Sequence, residues 1–416
     1  MEKALLAGVC LPGQKLRDIN DSLDELSRLA ETAGARVEKR IVQNRASIDS
    51  ACFIGRGKAA EIAALARELG IVSIIFDDEL KPVQQKNLEE ITGLKIIDRT
   101  RLILDIFARR ARSKEGILQV ERAQLEYYLP RLSKRGLSLD SQAGGIGTRR
   151  GPGEKKLEID QRKIRDRMAF LDREIELISE HRKVLRQKRA QNSQALISIV
   201  GYTNAGKSTL LNLLCERGEI YADDKLFATL DPTTRQVKLE NGRTVLFTDT
   251  VGFINKLPHM LVASFKATLE EISGANCLIH LIDASNPACS AQEETVINVL
   301  KELGAQNIPM ITVFNKADLL AKNRLERLRG NKAIAISAKT GEGVGALLKA
   351  VEKIVTPKLF AHTLSLDHSE SALVNKIHSI SVVKKQEYDK NRIRLKIECS
   401  SEQWSIIQSI LGRPKK

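Results

Sequence analysis

The sequence has few cysteines, and their spacing excludes the sites that cysteine usually builds. There are six cysteines in 416 residues, with no CxxC pair among them. They are Cys10, Cys52, Cys215, Cys277, Cys289 and Cys399. Because disulfide frameworks and zinc sites need clustered or regularly spaced ligands, we predict neither.

Long apolar runs are also missing. No stretch of about 18 apolar residues occurs, so we predict no transmembrane helix. The first residues, MEKALLAGVCLPG, lack the apolar core and the small-residue cleavage site of a signal peptide. We therefore expect a globular, cytoplasmic and monomeric protein, whose length favours about three domains.

The positive charge is unevenly distributed along the chain. The net charge is +15, which favours an anionic partner, nucleic acid first. Residues 101–192 carry 23 Lys and Arg against 13 Asp and Glu, so under a quarter of the chain holds two thirds of the excess. The alternative interpretation is that this charge only keeps the protein soluble.

Hydrophobic periodicity divides the chain into four parts and predicts an α/β fold. Residues 1–113 alternate strands with helices, which predicts a small parallel α/β domain. Residues 114–194 predict two antiparallel helices packed as a coiled-coil hairpin. Residues 195–356 return to strand–helix alternation, and residues 357–416 predict a small α/β domain with a hairpin near YDKNR and a closing helix.

Two local details follow from the same patterns. Pro130 is expected to end the first helix of the hairpin, because proline lacks the amide hydrogen that a helix interior needs. The pair Asp77 and Asp78 is expected to cap a helix near DDELKP rather than to bind a metal.

The segment ISIVGYTNAGKST is typical of a phosphate-binding P-loop. Gly201, Gly206, Lys207 and Ser208 have the spacing GxxxxGK[ST] between a predicted strand and a predicted helix. Glycines let backbone amides surround a phosphate, and the helix N-terminus adds positive potential. Lys207 is predicted to reach the β- and γ-phosphates, and the Ser208 hydroxyl to bind Mg²⁺.

Two later loops predict that the base is guanine. Asn315, Lys316 and Asp318 form an NKxD motif after a strand, and the Asp318 carboxylate would accept from the two adjacent donors of guanine. Adenine cannot supply that pair, so such a site discriminates strongly. The segment ISAKT would close over the base through Ser337, Ala338 and Lys339.

The segments FTDTVGF and LFATLDPTTR complete the predicted site. Asp249 would hold Mg²⁺ through water, and the Gly252 amide would contact the γ-phosphate. The threonine-rich segment is the predicted switch loop, with Thr229 preferred over Thr233 and Thr234 as the metal ligand. A turn with capping hydroxyls is the alternative.

Together these loops predict a Mg²⁺-dependent GTPase that binds GTP and GDP. The predicted catalytic residues are Lys207, Gly252 and Thr229, and the predicted metal ligands are Ser208, Thr229 and Asp249. The predicted nucleotide contacts are Gly201, Tyr202, Thr203, Asn204, Ala205, Gly206, Lys207, Ser208, Thr209, Phe227, Ala228, Thr229, Leu230, Asp231, Asp249, Thr250, Val251, Gly252, Asn315, Lys316, Ala317, Asp318, Ser337, Ala338 and Lys339.

Phe253 stands where many GTPases carry the glutamine that orients the attacking water. A phenyl ring cannot make that hydrogen bond, so slow intrinsic turnover is expected. Either Phe253 lies outside the pocket and leaves room for a group from a partner, or it simply packs in the core. In both cases a partner would set the time of hydrolysis.

The loop SQAGGIGTRRGPGEKK lies at the tip of the predicted hairpin. Its glycines allow close approach to another backbone, and its cations suit phosphates and bases. We therefore predict RNA contacts through Arg149, Arg150, Lys155 and Lys156. A flexible turn with solvated charges is the alternative.

The chain resembles the HflX family of bacterial ribosome-associated GTPases over essentially its whole length. The matching segments include IIDRTRLILDIFARRARSKEGILQVERAQLEYYLPRL, GGIGTRRGPGE, GYTNAGKSTL, LFATLDPTTR and DTVGFI. The resemblance implies binding to the large ribosomal subunit, stimulation of hydrolysis there, and splitting of stalled ribosomes under stress. It also implies that Thr229 binds Mg²⁺ and that the hairpin tip approaches the peptidyl-transferase centre.

Two other functions stay open from the sequence. One is a ribosome-assembly or sensing GTPase that splits nothing. The other is an ATP-driven RNA-remodelling factor, because the segment IGRGK and the family both leave room for an N-terminal ATP site. A lone GxGK is a weak signal, and a tight turn opening a helix is the simpler interpretation of Gly55–Lys58.

Overall fold

The computed structural model describes most of the chain. The described residues are 1–132, 152–191, 195–215, 226–227, 231, 233–258, 272–321, 323, 326, 333–356, 360–367, 371–389, 392–399 and 401–411. Contacts divide the chain into two compact units, residues 1–349 and 350–416.

The first sheet is parallel, with the strand order β2-β1-β3-β4. Its strands are β1 (Glu2–Cys10), β2 (Ala35–Asn44), β3 (Ser73–Phe76) and β4 (Lys95–Asp98). Its helices are α1 (Leu16–Thr32), α2 (Arg56–Leu69), α3 (Pro82–Thr92) and α4 (Arg99–Arg110). The apolar run of β1 is buried on both faces, as expected for a central parallel strand. In α1, Leu23, Leu26, Leu29 and Ala30 recur at helical spacing and form the buried face.

Two helices follow, α5 (Lys114–Leu132) and α6 (Pro152–Gln191). Their ion pairs run in opposite directions along the chain: Lys114 pairs with Glu174 at 2.8 Å, and Glu121 with Arg167 at 2.7 Å. The helices are therefore antiparallel, as predicted for a hairpin.

The prediction that Pro130 ends α5 is wrong, because the helix continues to Leu132. Arg131 holds this last turn to the first sheet: its guanidinium donates to the Leu80 carbonyl at 2.8 Å and to Asp98 at 3.1 Å. It also lies 3.4 Å from the centre of the Tyr127 ring. These tertiary contacts outweigh the hydrogen bond that proline removes.

The second sheet has the order β10-β9-β8-β5-β7-β6, and only β6 runs antiparallel. Its strands are β5 (Leu196–Gly201), β6 (Thr233–Lys238), β7 (Thr244–Asp249), β8 (Cys277–Asp283), β9 (Met310–Asn315) and β10 (Ile334–Ala335). Its helices are α7 (Lys207–Leu214), α8 (Cys289–Glu302) and α9 (Val344–Val355). The carboxyl ends of β5, β7, β8 and β9 meet at one edge, where open parallel sheets bind ligands.

The second unit contains an antiparallel sheet with the order β11-β13-β12. Its elements are β11 (Phe360–Asp367), α10 (Ser371–Ile380), β12 (Val382–Tyr388), β13 (Arg392–Cys399) and α11 (Ser401–Ile410). The predicted hairpin near YDKNR and the closing helix are both present. Trp404 stacks on His362 with the ring centroids 3.7 Å apart, so it packs within this unit.

The predicted α/β fold class is confirmed, with a parallel N-terminal sheet, a helical hairpin and a Ras-like nucleotide-binding domain. The four domain boundaries drawn from the sequence stay predictions. Within the described ranges, no helix combines the length and the apolarity that a membrane crossing requires.

Candidate nucleotide-binding site

The P-loop lies where the sequence predicts it, between the central strand β5 and α7. At Gly206 φ is +95°, and a side chain there would collide with the Asn315 amide. At Gly201 a side chain would collide with the carbonyl oxygen of Leu281. Only glycine lets the loop pass this close to the neighbouring strands, so both glycines are explained by space as well as by phosphate binding.

Lys207 opens α7 and is only 6% exposed. Its Nζ donates to the carbonyls of Tyr202 at 2.9 Å and Gly201 at 3.2 Å. Burial lowers the Lys207 pKa to about 8, although the nearby Asp249 charge opposes that shift. A Cβ on Gly252 would lie 2.9 Å from this Nζ, so the structure brings the predicted Lys207 and Gly252 together.

Ser208 and Asp249 also lie side by side. The Ser208 hydroxyl donates to the Asp249 carboxylate at 2.6 Å, and Asp249 is fully buried at the end of β7. A hydroxyl and a carboxylate are hard oxygen donors of the kind that Mg²⁺ prefers, so the residues present fit this ion. Thr229, Ala228 and Leu230 lie outside the described residues.

Asn315 joins the three base- and phosphate-binding loops. Its amide donates to the Ala205 carbonyl in the P-loop at 2.7 Å and accepts from the Ala338 amide at 2.9 Å. The Ser337 hydroxyl donates to Asp318 at 2.6 Å. The structure therefore places the predicted guanine loops beside the P-loop.

Asp283 is a member of this site that the sequence reasoning missed. The Lys316 ammonium donates to Asp283 at 2.7 Å, while the Lys316 backbone has a left-handed φ of +61°. Asp283 ends β8, the strand between those that carry the P-loop and the NKxD motif. An acid at that strand end was the available signal.

Phe253 is packed in the core, with 2% of its surface exposed. The Thr203 amide donates to the Phe253 carbonyl at 2.8 Å, and the Phe253 amide to the Gly201 carbonyl at 3.1 Å. The side chain belongs to a hydrophobic cluster that also contains Leu102 and Phe107 of α4. The aromatic residue after DxxG thus serves to pack this loop together with the N-terminal helices.

A cluster that we call the buried polar cluster joins the first sheet to the nucleotide site; it consists of the buried residues Glu25, Asp77, Arg99 and Tyr202, with the partly exposed Lys256 at its edge. The Arg99 guanidinium pairs with Asp77 at 2.9 Å and also with Glu25. It donates to the Asn255 carbonyl at 3.0 Å, two residues after Phe253. The Asn255 amide donates to the Tyr202 hydroxyl at 2.7 Å, and that hydroxyl donates to Glu25.

The cluster corrects the prediction for Asp77 and Asp78. The N-cap of α3 is Lys81, so neither acid caps that helix. Both acids instead accept from the Lys256 ammonium at 2.5 Å. Burial alone would lower the Lys256 pKa, but the two carboxylates outweigh it and raise the pKa. The partner is 178 or more residues away in sequence, so no local pattern could reveal it.

Burial raises the Glu25 pKa, although the neighbouring Arg99 charge acts in the opposite direction. Burial also raises the Tyr202 pKa, and the Glu25 charge adds to that rise. The Tyr202 hydroxyl therefore keeps its proton and acts as a hydrogen-bond donor toward Glu25. This fixes the P-loop tyrosine against α1.

The segment IGRGK follows its simpler interpretation. Helix α2 begins at Arg56, and the Lys58 ammonium pairs with Glu61 at 2.7 Å.

Of the predicted RNA contacts, Arg149 and Arg150 lie outside the described residues. Lys155 and Lys156 lie in the first turns of α6, and their side chains are not described.

His280, on β8 near the P-loop, gives the site region a testable pH dependence. It is 1% exposed, and its Nδ1 has no hydrogen-bond partner among the described residues. Burial, and to a lesser extent the Lys207 charge, lower its pKa to about 4. In the unfolded chain the pKa is about 6.5. Between these two pH values the unfolded chain binds a proton that the folded protein does not. The contribution of His280 to the free energy of unfolding is therefore fully present above about pH 6.5, and about 3 kcal/mol of it is lost as the pH falls to 4.

We expect His280→Leu to remove that part of the acid sensitivity. The unfolding temperature Tm is measured at pH 7 and pH 4.5, and the decrease in Tm between them should be smaller in the variant than in the wild type. His181→Gln, on an exposed face of α6, is the control and should keep the wild-type dependence. If His280→Leu and the wild type lose the same stability between pH 7 and pH 4.5, other titrating groups cause the acid sensitivity.

Comparison with known proteins agrees with this architecture. Four family models match successive parts of the chain: a GTP-binding GTPase N-terminal model at residues 20–108, its middle region at 110–189, a 50S ribosome-binding GTPase at 196–316 and the HflX C-terminal domain at 324–416. A GTPase HflX of Caldanaerobacter subterraneus is 46% identical over 92% of this chain and 88% of its own length. The Escherichia coli GTPase HflX is 42% identical over 92% of this chain and 90% of its own length.

Among solved structures, a GDP complex of a GTP-binding protein from Sulfolobus solfataricus is similar at a TM-score of 0.45 and 24% identity. The similarity covers 85% of this chain and 99% of that one. The family is decided by the sequence relatives, which match at well over 30% identity across nearly the full length. The chain belongs to the HflX family of ribosome-associated GTPases.

Proposed function

We propose that this GTPase binds the large ribosomal subunit through its N-terminal domain and helical hairpin and separates the subunits of stalled ribosomes. One observation carries the proposal most directly. The loop after DxxG is held by the buried polar cluster, so whatever binds the N-terminal domain can act on the γ-phosphate side of the site. The packed Phe253 supports a partner that times hydrolysis, because it cannot itself orient water.

In this proposal each loop has a defined task. The P-loop amides and Lys207 hold the β- and γ-phosphates, and the Gly252 amide contacts the γ-phosphate. Ser208, Thr229 and Asp249 would hold Mg²⁺, which when bound neutralises charge on the phosphate oxygens. Asp318 reads the guanine edge. The group that positions the attacking water would come from the bound partner.

The helical hairpin supports a ribosomal RNA partner. Helix α6 has 40 residues and therefore extends over about 60 Å. The segment that contains it is strongly basic, and the matching model for residues 196–316 is described as a 50S ribosome-binding GTPase. A long, rigid and cationic arm suits insertion among phosphates far from the GTP site.

The first test is GTP turnover, alone and with purified large ribosomal subunits at fixed Mg²⁺ and salt. We expect the large subunit to raise kcat by about tenfold or more, because a partner supplies the missing transition-state positioning. Purified small subunits are the matched control, because they also present ribosomal RNA and negative charge. Ser208→Ala should remove turnover in every mixture. Equal turnover with and without large subunits would contradict the proposal.

Light scattering then distinguishes splitting from an assembly or sensing role. Adding the protein and GTP to intact 70S ribosomes should lower the scattered intensity, and GDP should not. If large subunits stimulate hydrolysis while the scattering stays constant, the chain is a GTP-timed assembly or sensing factor.

A further inference from the structure

The predicted switch loop is held on the N-terminal side of Thr229 by helices of the first sheet. Phe227 is 2% exposed, and its ring lies edge-to-face with Phe107 of α4 at 4.7 Å. The Leu226 amide donates to the Thr32 hydroxyl of α1 at 3.3 Å. Both contacts join the loop to elements more than 100 residues earlier in the chain.

On the C-terminal side of Thr229, Asp231 is fixed at the start of α5. Its carboxylate accepts from the backbone amides of Arg112 at 2.9 Å and Ser113 at 2.8 Å, and from the Ser113 hydroxyl. The Ser113 oxygen in turn accepts from the Gly116 amide at 2.9 Å, which makes Ser113 the cap of α5. A carboxylate is favoured here because a helix N-terminus is positive.

Gly116 has a spatial reason to be glycine. A Cβ at this position would collide with the Asp231 carboxylate. Glycine within a helix is otherwise less favourable than alanine, since it costs more backbone entropy. The absence of a side chain at Gly116 is what lets Asp231 reach the start of α5.

In the sequence, Thr229 lies between these two anchored positions. Three residues lie between Phe227 and Asp231, so the Cα atoms of Phe227 and Asp231 can be at most about 14 Å apart. Two residues after Asp231 the chain enters β6, where Thr233 pairs with Asp249, the predicted metal-binding carboxylate. Asp231, at the start of α5, is therefore only two residues in sequence from the strand position that pairs with Asp249.

We infer that Asp231 is a positioning residue for GTP hydrolysis. By its bonds to the start of α5 it sets the reach of Thr229 toward Mg²⁺, and it connects the basic helical hairpin to the nucleotide. A displacement of α5 by a bound partner would move Asp231 and thereby change the metal site. This inference rests on the proposed metal role of Thr229.

Two variants test the contact from opposite sides. Asp231→Ala removes the carboxylate, and Gly116→Ala expels it by a substitution in α5, outside the nucleotide-binding loops. Basal kcat, KM for GTP, the Mg²⁺ concentration for half-maximal rate and the Kd of GDP are measured for each. Gly345→Ala is the matched control, because this exposed glycine of α9 has open space around its Cβ position.

We expect both variants to lower kcat by about tenfold or more, as misplaced catalytic groups do, and to raise the Mg²⁺ requirement. The GDP affinity should change less than about twofold, because switch contacts to Mg²⁺ depend on the γ-phosphate. The double variant should be no slower than the slower single variant, since both remove one contact. Gly345→Ala should behave as the wild type. An unchanged GDP affinity also excludes misfolding as the cause.

Thr229→Ala, measured in parallel, separates the possible failures. If it lowers kcat and raises the Mg²⁺ requirement while Asp231→Ala and Gly116→Ala do neither, the inference is overturned and the metal role of Thr229 stands. If Thr229→Ala changes neither quantity, the proposed metal role fails, and the inference fails with it. An additive loss in the double variant would also overturn the shared contact.

Discussion

Asp318→Asn is expected to weaken GTP binding by about 10³-fold or more and to create binding of xanthosine triphosphate. The carboxylate accepts from the two adjacent donors of guanine, N1–H and the amino group. The asparagine side chain would place its own NH₂ donor against one of them. Xanthine carries a carbonyl where guanine has its amino group, so the asparagine amide can donate to it. The side chain keeps an oxygen that can accept from Ser337, which now donates at 2.6 Å, so the loop should keep its shape.

The measurement is the Kd of GTP and of xanthosine triphosphate for both proteins by competition. Asp166→Asn, which changes the same chemical group on an exposed face of α6, is the control and should leave both constants unchanged. If Asp318→Asn keeps the preference for GTP, Asp318 does not read the base. A loss of both nucleotides would instead indicate a collapsed loop.

Arg99→Met is expected to lower the free energy of unfolding by about 3–5 kcal/mol, because it leaves the buried Glu25 carboxylate without its cation and Asp77 with Lys256 alone. The Arg99 side chain is 2% exposed and Asp77 is 1% exposed, so water cannot replace the lost pair. Methionine keeps most of the apolar stem of the side chain and removes the guanidinium. The expected loss therefore reports mainly the missing charged group.

Hydrogen exchange at β1, β3 and α4 measures this stability where the contact lies, because the whole chain is too large for a two-state assumption. Arg36→Met is the matched control: its ion pair with Glu38 is on the surface, and the change should stay within about 0.5 kcal/mol. Adding Glu25→Gln to Arg99→Met should give a smaller loss than the sum of the single variants, since the buried charge is then removed. Equal losses in the Arg36 and Arg99 variants would contradict a special role of the buried cluster.

The P-loop and the guanine loops could be predicted from the sequence because their function depends on neighbours in the chain. Gly201 to Ser208 need one backbone path between a strand and a helix, and that path is encoded locally by glycine and by the strand pattern before it. The NKxD loop likewise follows its own strand directly. The sheet then brings these strand ends together, as parallel topology requires.

Local patterns are weaker guides at the margin of the first sheet. Among the described strands β2 pairs with β1 alone, and it is half-exposed along most of its length, so its hydrophobic alternation is weak. Pro130 was predicted to end α5, yet the helix continues because Arg131 is anchored to Leu80 and Asp98. In both places tertiary contacts outweigh the local preference.

The sequence by itself determined the α/β fold class, the order of the nucleotide loops and the identity of the base, because each depends on short patterns with fixed chemistry. Only the tertiary structure decided how that site is tied to the rest of the chain. It showed Phe253 packed in a cluster with residues of α4, Arg99 buried between Glu25 and Asp77, and Asp231 at the start of α5. The hydrogen-bonded contacts among these join residues that are 22 to 118 positions apart, and they depend on burial and on charges meeting in space. No local pattern records which distant partner a buried charge will meet.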